Sequence, residues 1–268
     1  MSYSIAGARR TSDSRSFRDI VSGRIVAHGG WCMIPSAFAT EVVSASGCDW
    51  LCIDTQHGLI DDAAMRVMVQ AAAIRGTPVG VRVPWNEPAS IMRALDAGAD
   101  GVIVPMVNTA EDARLAVASS KYPPLGIRSW GPLRSSMAQP GFDPSLGNEQ
   151  TVCIVMIETV EAYENLEAIL DVPGVGGVFV GPNDLAISHA GGNEGAGQSP
   201  RDVEMIERIA AECGRRSLVA GISCTDGEDA KRWERVGYTL LGLAAEAALI
   251  GAGMAALLAS ARDSAPPA

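Results

Sequence analysis

The sequence predicts an α/β chain folded as a closed (β/α)8 TIM barrel, and three observations support this. Eight apolar runs of strand length alternate with eight longer segments of helical patterning. The order is strictly β then α, and buried strands joined by crossover helices form a parallel sheet. The chain has 268 residues, a length that suits eight such units in one barrel. An open doubly wound sheet is the alternative. It is disfavoured because no G-x-G-x-x-G pattern follows the first strand.

The elements fall in order. Residues 1–22 are rich in Ser and Arg and poor in acids, and form an N-terminal extension expected to be poorly ordered. Residues 23–268 then form a single barrel domain. Strands are expected at about 25–28 (IVAH), 50–54 (WLCID), 79–83 (VGVRV) and 101–105 (GVIVP). Four more are expected at about 152–157 (VCIVMI), 177–180 (GVFV), 218–222 (LVAGI) and 239–243 (TLLGL). Helical patterning covers roughly 36–46, 62–75, 88–96, 109–120, 159–169, 201–216, 226–236 and 245–262. Residues 121–150 form a long Pro/Gly-rich loop, and 189–199 (HAGGNEGAGQS) have the composition of a flexible one. The last helix, AEAALIGAGMAALLAS, is apolar nearly all round. A surface helix of a monomer needs a polar face, so this one is expected to be covered on both sides, in an oligomer.

Composition removes several function classes. A formal charge of −10 and an apolar fraction of 47% argue for a well-cored acidic protein. Nucleic acid and anionic membrane surfaces are poor partners for such a chain. No apolar run approaches a membrane span, and no signal-peptide h-region is present. None of the six cysteines forms a C-x-x-C pair, which points to buried free thiols in a reducing, cytoplasmic setting.

In such a barrel, chemistry sits at the C-terminal ends of the strands. There the sequence offers His28 to Trp31, then Asp54, Gln56 and His57, then Arg82, Glu158, Gly181-Pro182-Asn183-Asp184 and Ser223. Strand eight contributes nothing titratable. Glu158 and Asp184 end consecutive strands, so together they are able to share one hard divalent cation. Equally, each could serve only to cap a helix. Arg82 suits a carboxylate clamp, or a structural ion pair. Asp54 and His57 are three residues apart, close enough for the carboxylate to orient the imidazole as a general base, although a satisfied core histidine is as common. Trp31 either lines the site or simply packs. Only two lysines exist, Lys121 and Lys231, both away from strand ends. A Schiff-base mechanism therefore has no candidate, and carbonyl chemistry here would need a metal.

The blocks DWLCIDTQHG, VRVPWNEPASIMRALDAGADGVIVPMVNTAEDA, GIRSWGP, VMIETVEAYENLEAIL and VPGVGGVFVGPNDLAIS together resemble the HpcH/HpaI aldolase family over roughly residues 20–255. The resemblance implies a class II aldolase. Such an enzyme reversibly cleaves a 4-hydroxy-2-oxo acid to pyruvate, or hydroxypyruvate, and an aldehyde through a metal-stabilised enolate. It implies Glu158 and Asp184 as ligands of Mg²⁺ or Mn²⁺, with Co²⁺ as a further option and no organic cofactor. It makes His57 the catalytic histidine with Asp54 its dyad partner, and places Arg82 beside the oxo-acid carbonyl. The turn Gly181 to Asp184 would hold the substrate carboxylate, consistent with a helix N-terminus as an anion site. Asp96 matches an acid that reaches a neighbouring subunit's site in some relatives. Members are often hexamers that exchange the last helix between subunits. The chain departs from the pattern at Gln56, where many members carry Glu, and at the bulky Trp130. Two other functions stay open: a CoA-ester lyase of the citrate-lyase β or malyl-CoA type, and a non-catalytic barrel. The first lacks the basic cluster that CoA phosphates require.

Overall fold

A computed structural model describes residues 15–191 and 199–263. Its eight parallel strands close into a barrel in sequence order. They are β1 (Ala27–Cys32), β2 (Trp50–Asp54), β3 (Val79–Arg82), β4 (Gly101–Val104), β5 (Val152–Ile157), β6 (Gly177–Val180), β7 (Val219–Ser223) and β8 (Leu240–Ala245). Helices follow the strands in the expected order, among them Asp62–Ile74, Pro88–Asp96, Pro200–Arg215 and Gly227–Val236. The expected helix at 159–169 is two shorter ones, Val160–Glu164 and Leu166–Leu170, meeting at Asn165.

Side chains alternate along each strand, and the two faces enter two different cores. Leu51 and Ile53 of β2 belong to the larger core, shared with the surrounding helices. Trp50 and Cys52 belong to the barrel interior, with Ile154, Met156, Phe179 and Val219. One more step along the inward row gives Asp54 on β2, Arg82 on β3, Glu158 after β5, Gly181 after β6 and Ser223 on β7. A period of two thus carries the interior packing directly into a ring of polar groups at the barrel's C-terminal mouth.

Three further expectations need correction. Strand β1 starts later than 25–28 and runs on through Gly29 and Gly30 to Cys32. Small residues are required there: a Cβ on Gly29 would lie 2.2 Å from the Trp50 ring, and one on Gly30 would lie 2.4 Å from Val43. His28 is therefore low on the strand, and Trp31 stands near its top. Second, the N-terminal segment is not all tail. Phe17–Gly23 is a helix with a Ser16/Asp19 capping box, and Phe17 is wholly buried. Its ring plugs the barrel floor against Trp50, where Gly80 and Gly101 leave it room. Residues 1–14 lie outside the described residues. Third, the long loop at 121–150 contains helices Leu133–Ala138 and Pro144–Gln150. Lys121 is anchored beneath it, donating to the carbonyls of Asn148 and Thr151. Of the expected flexible stretch at 189–199, residues 192–198 lie outside the described residues.

The last helix, Glu246–Asp263, leaves the barrel with its apolar side chains in solvent; Leu249, Ile250, Met254 and Leu257 are each more than half exposed. No helix among the described residues is long and apolar enough to cross a membrane. No two of the six cysteines are joined by a disulfide.

Candidate active site

Asp54 is fully buried, and every group around its carboxylate is a donor. Arg82 donates through Nε to Oδ1 at 2.9 Å and through Nη2 to Oδ2 at 2.5 Å. The pairing follows from register, because Asp54 and Arg82 are direct neighbours across β2 and β3. Trp31 Nε1 donates to Oδ2 at 3.2 Å, and its ring lies 5.0 Å from the Arg82 guanidinium carbon. Burial alone would raise the Asp54 pKa, but the hydrogen bonds and charge of Arg82 outweigh it and hold the carboxyl below its ordinary range. Two of the guanidinium's nitrogens are thereby committed, and Nη1 has no partner among the described residues.

The remaining donors to Asp54 are the backbone N–H groups of Gln56 and His57, at 3.0 and 3.2 Å. This corrects the expected dyad: Asp54 fixes the main chain at His57, not its imidazole. The turn is tight, since a Cβ on Gly58 would lie 2.2 Å from the Asp54 carbonyl oxygen. The His57 side chain is exposed and makes no hydrogen bond among the described residues. It lines a cavity of about 340 Å³ together with Trp31, Arg82, Gly181, Asn183 and Asp184.

Glu158 is buried, and its Oε1 accepts the Met106 N–H at 2.7 Å. Met106 itself sits at φ 55°, a left-handed conformation uncommon for such a side chain. Burial pushes the Glu158 carboxyl above its ordinary range; the Met106 N–H opposes this, Asp184 adds to it and Arg82 opposes it. A Cβ on Gly181 would lie 2.8 Å from Glu158 Oε2 and 3.3 Å from Asp184 Oδ2. The two carboxylates therefore flank one small space that glycine keeps open. No cluster of three or more His, Cys, Asp or Glu side chains suited to a metal occurs among the described residues. Two hard oxygen donors beside an open cavity fit a divalent ion that completes its shell with substrate and water.

Gly181 also precedes helix Pro182–His189, whose N-terminus has no side-chain cap. Pro182 lacks an N–H, which leaves those of Asn183 and Asp184 as the free donors of the first turn. The other expected residues lie elsewhere. Gln56 is not among the residues that line the cavity, and its buried Oε1 has no partner among the described residues. Asp96 ends helix Pro88–Asp96 at the opposite end of its own barrel and pairs with buried Arg128 at 2.7 Å. Trp130 packs at a tilt against Tyr122 and stacks on Phe142, also outside the cavity.

Sequence reasoning missed Glu246. It follows β8, is buried, and accepts the N–H of Met33 at 2.7 and 2.9 Å and of Ile34 at 2.7 Å. It clamps the loop after β1 that backs the site. Nothing in the local pattern separates it from an ordinary first-turn glutamate. Also missed was the β7 side of the cavity, Thr225 and Asp229 beside the noted Ser223.

Residues 29–248 match the family model described as HpcH/HpaI aldolase/citrate lyase. A 4-hydroxy-2-oxo-heptane-1,7-dioate aldolase of Klebsiella pneumoniae is 34% identical over 92% of this chain and 93% of its own length. Among solved structures, an HpcH/HpaI aldolase from Desulfitobacterium hafniense superposes with a TM-score of 0.83 at 26% identity, covering 91% of this chain and 95% of that one. The citrate synthase SbnG superposes with a TM-score of 0.82, also at 26% identity, over 92% and 98%. The barrel, its polar mouth and these matches agree: the chain belongs to the HpcH/HpaI aldolase/citrate lyase family, as an aldolase, a carbon–carbon lyase.

Proposed function

We propose that this protein reversibly cleaves a 4-hydroxy-2-oxo acid to pyruvate, or hydroxypyruvate, and an aldehyde. The observation that carries this reading is the meeting of these groups at Gly181: Glu158 and Asp184 flank it, and it lines one cavity with Asp184 and with Arg82, which Asp54 locks. Glu158 and Asp184 would hold Mg²⁺, Mn²⁺ or Co²⁺. When bound, the divalent ion supplies Lewis acidity at the oxo acid.

This chain's own residues do the rest. The free N–H groups of Asn183 and Asp184 hold the substrate carboxylate at the helix N-terminus. Arg82, fixed on two sides, donates its remaining Nη1 to the 2-oxo oxygen as negative charge develops there. His57 takes the proton from the 4-hydroxyl. The C3–C4 bond then breaks, the aldehyde leaves, and the electron pair passes into the enolate of the oxo acid. Protonation at C3 gives pyruvate. In the addition direction His57 returns the proton to the new hydroxyl. Trp31 supports Arg82 and Asp54 from below. Asp54 acts by positioning, through Arg82 and the backbone at His57.

The exposed apolar helix Glu246–Asp263 supports a homo-oligomer in which it is covered by a neighbouring subunit, as in a hexamer with exchanged last helices. The remoteness of Asp96 from its own cavity supports a role at a neighbour's. Cysteines that form no disulfide suit a cytoplasmic enzyme. The test is exchange of pyruvate methyl protons in D₂O with Mn²⁺ present. Exchange lost on chelation and in Glu158→Ala is the expected result. No exchange with any divalent metal, for pyruvate and for hydroxypyruvate, overturns the reading.

A further inference from the structure

We propose that the acceptor end of the cavity selects an uncharged, hydroxyl-bearing aldehyde and rejects one carrying a carboxylate, with Asp229 as the rejecting residue. The proposal rests on the aldolase reading above and names its second substrate.

The charges around the cavity decide this. Arg82 is the only Lys or Arg among the described residues that line it, and its charge is matched by Asp54. Glu158 and Asp184 are matched in turn by the divalent ion they would hold. His57 works at the 4-hydroxyl, beside the bond that breaks. That leaves one carboxylate without a counter-charge, Asp229. It is half-buried on the cavity wall and forms no ion pair with Lys or Arg among the described residues. A second carboxylate, carried on the acceptor, would therefore face an uncompensated negative charge at short range, in surroundings poorer in water than bulk.

The nearby helix offers no escape from that repulsion. Asp229 lies in the first turn of Gly227–Val236, whose N-terminus would otherwise attract an anion. Asp226 already accepts the N–H groups of Glu228 and Asp229, at 2.9 Å each. Glu228 adds another acid to the same turn.

The same wall is equipped for hydroxyl groups. Asp229 Oδ2 accepts the Thr225 N–H at 3.1 Å and its Oγ1 at 3.4 Å, which aims the carboxylate and leaves Oδ1 without a partner among the described residues. Ser223 ends the inward row of β7, one step beyond Gly221, and its hydroxyl makes no hydrogen bond among the described residues. Ser223, Thr225 and Asp229 thus present two hydroxyls and a carboxylate oxygen on one side of the cavity. Such a row accepts from and donates to adjacent hydroxyls of a short sugar-like aldehyde.

The test uses the full chain loaded with Mn²⁺, pyruvate as donor, and four acceptors: glyceraldehyde, glycolaldehyde, propanal and succinic semialdehyde. Products are followed by NMR. The expected kcat/KM is roughly 10-fold or more higher for glyceraldehyde than for succinic semialdehyde. Glyceraldehyde is also expected to exceed propanal. Asp229→Asn should shrink the glyceraldehyde-to-semialdehyde ratio; because it is a ratio, a general loss of folded enzyme leaves it unmoved. Semialdehyde turned over as well as glyceraldehyde, a ratio unchanged in Asp229→Asn, propanal matching glyceraldehyde, or methyl-proton exchange with no aldol product from any acceptor would each overturn the proposal. Absence of methyl-proton exchange in the wild type is the separate result that overturns the aldolase reading itself.

Discussion

Replacing Asp54 by Asn is the sharpest perturbation the site offers, because the two side chains share a shape and differ in what they accept. Oδ1 accepts from Arg82 Nε and from the backbone N–H groups of Gln56 and His57; Oδ2 accepts from Arg82 Nη2 and Trp31 Nε1. All five partners are donors. An asparagine keeps one oxygen, and its NH₂ must point donors at donors on the other side. The better orientation keeps oxygen at the Oδ1 position and sets the NH₂ against Arg82 Nη2 and Trp31 Nε1. The substitution also leaves the buried guanidinium without its counter-charge. Breaking a buried ion pair by removing one partner costs about 3–5 kcal/mol. Arg82 opens onto a cavity that water enters, so the lower end, about 3 kcal/mol, is the expectation. Urea unfolding of Asp54→Asn at neutral pH measures it. Since the folded-state pKa of Asp54 is depressed, its contribution is full above the unfolded value near ~3.9 and is lost as pH falls through the lower folded value. The gap between wild type and variant should therefore be constant at neutral pH and close under acid. Activity should fall roughly 10²-fold or more, because the donor held by Asp54 loses its aim. A variant within 1 kcal/mol of wild type, or a gap that does not narrow in acid, would refute this account.

Three further outcomes follow from the same geometry. Gly181→Ala should leave the barrel folded but weaken Mn²⁺ binding at least 10-fold by calorimetry, because its methyl group would enter the space between Glu158 and Asp184. Glu246→Ala should destabilise the protein by about 2–4 kcal/mol in thermal or urea unfolding, since it strips the buried acceptor from the Met33 and Ile34 N–H groups. Leu249→Glu combined with Leu257→Glu should lower the mass measured by light scattering to that of a smaller assembly without changing the helical circular dichroism of the dilute protein.

What was legible in the sequence follows the range of the forces involved. Strands β5 and β6 stand out because a run buried on both faces is apolar at every position, a local property. The metal-ligand candidates stand out for the same reason: each is the first carboxylate after such a run. β1 was displaced because its interior is filled from a distance. Gly29 is glycine on account of Trp50, a residue on the next strand, and no window around 29 contains that fact. The helix at Phe17–Gly23 was hidden likewise, since only the closed barrel creates the floor that Phe17 seals.

The misassigned partner of Asp54 shows where sequence distance fails as a guide to chemistry. His57 is three residues away and Arg82 twenty-eight, yet the carboxylate holds the second by its side chain and the first only by its backbone. In a parallel barrel, register and not separation decides which side chains meet, and Asp54 and Arg82 occupy paired positions. For the proposed chemistry, the consequence is that Asp54 holds the two groups in different ways, Arg82 by its side chain and His57 by its main chain. Arg82 is immobilised by an ion pair, while the His57 ring makes no hydrogen bond among the described residues. One carboxylate fixes the electrophilic donor and the backbone of the base together, so a change at Asp54 should damage both the stabilisation of the enolate and the placement of His57. That coupling predicts that Asp54→Asn combined with His57→Ala loses less activity than the two single losses multiplied together, a double-mutant result that independent roles could not produce.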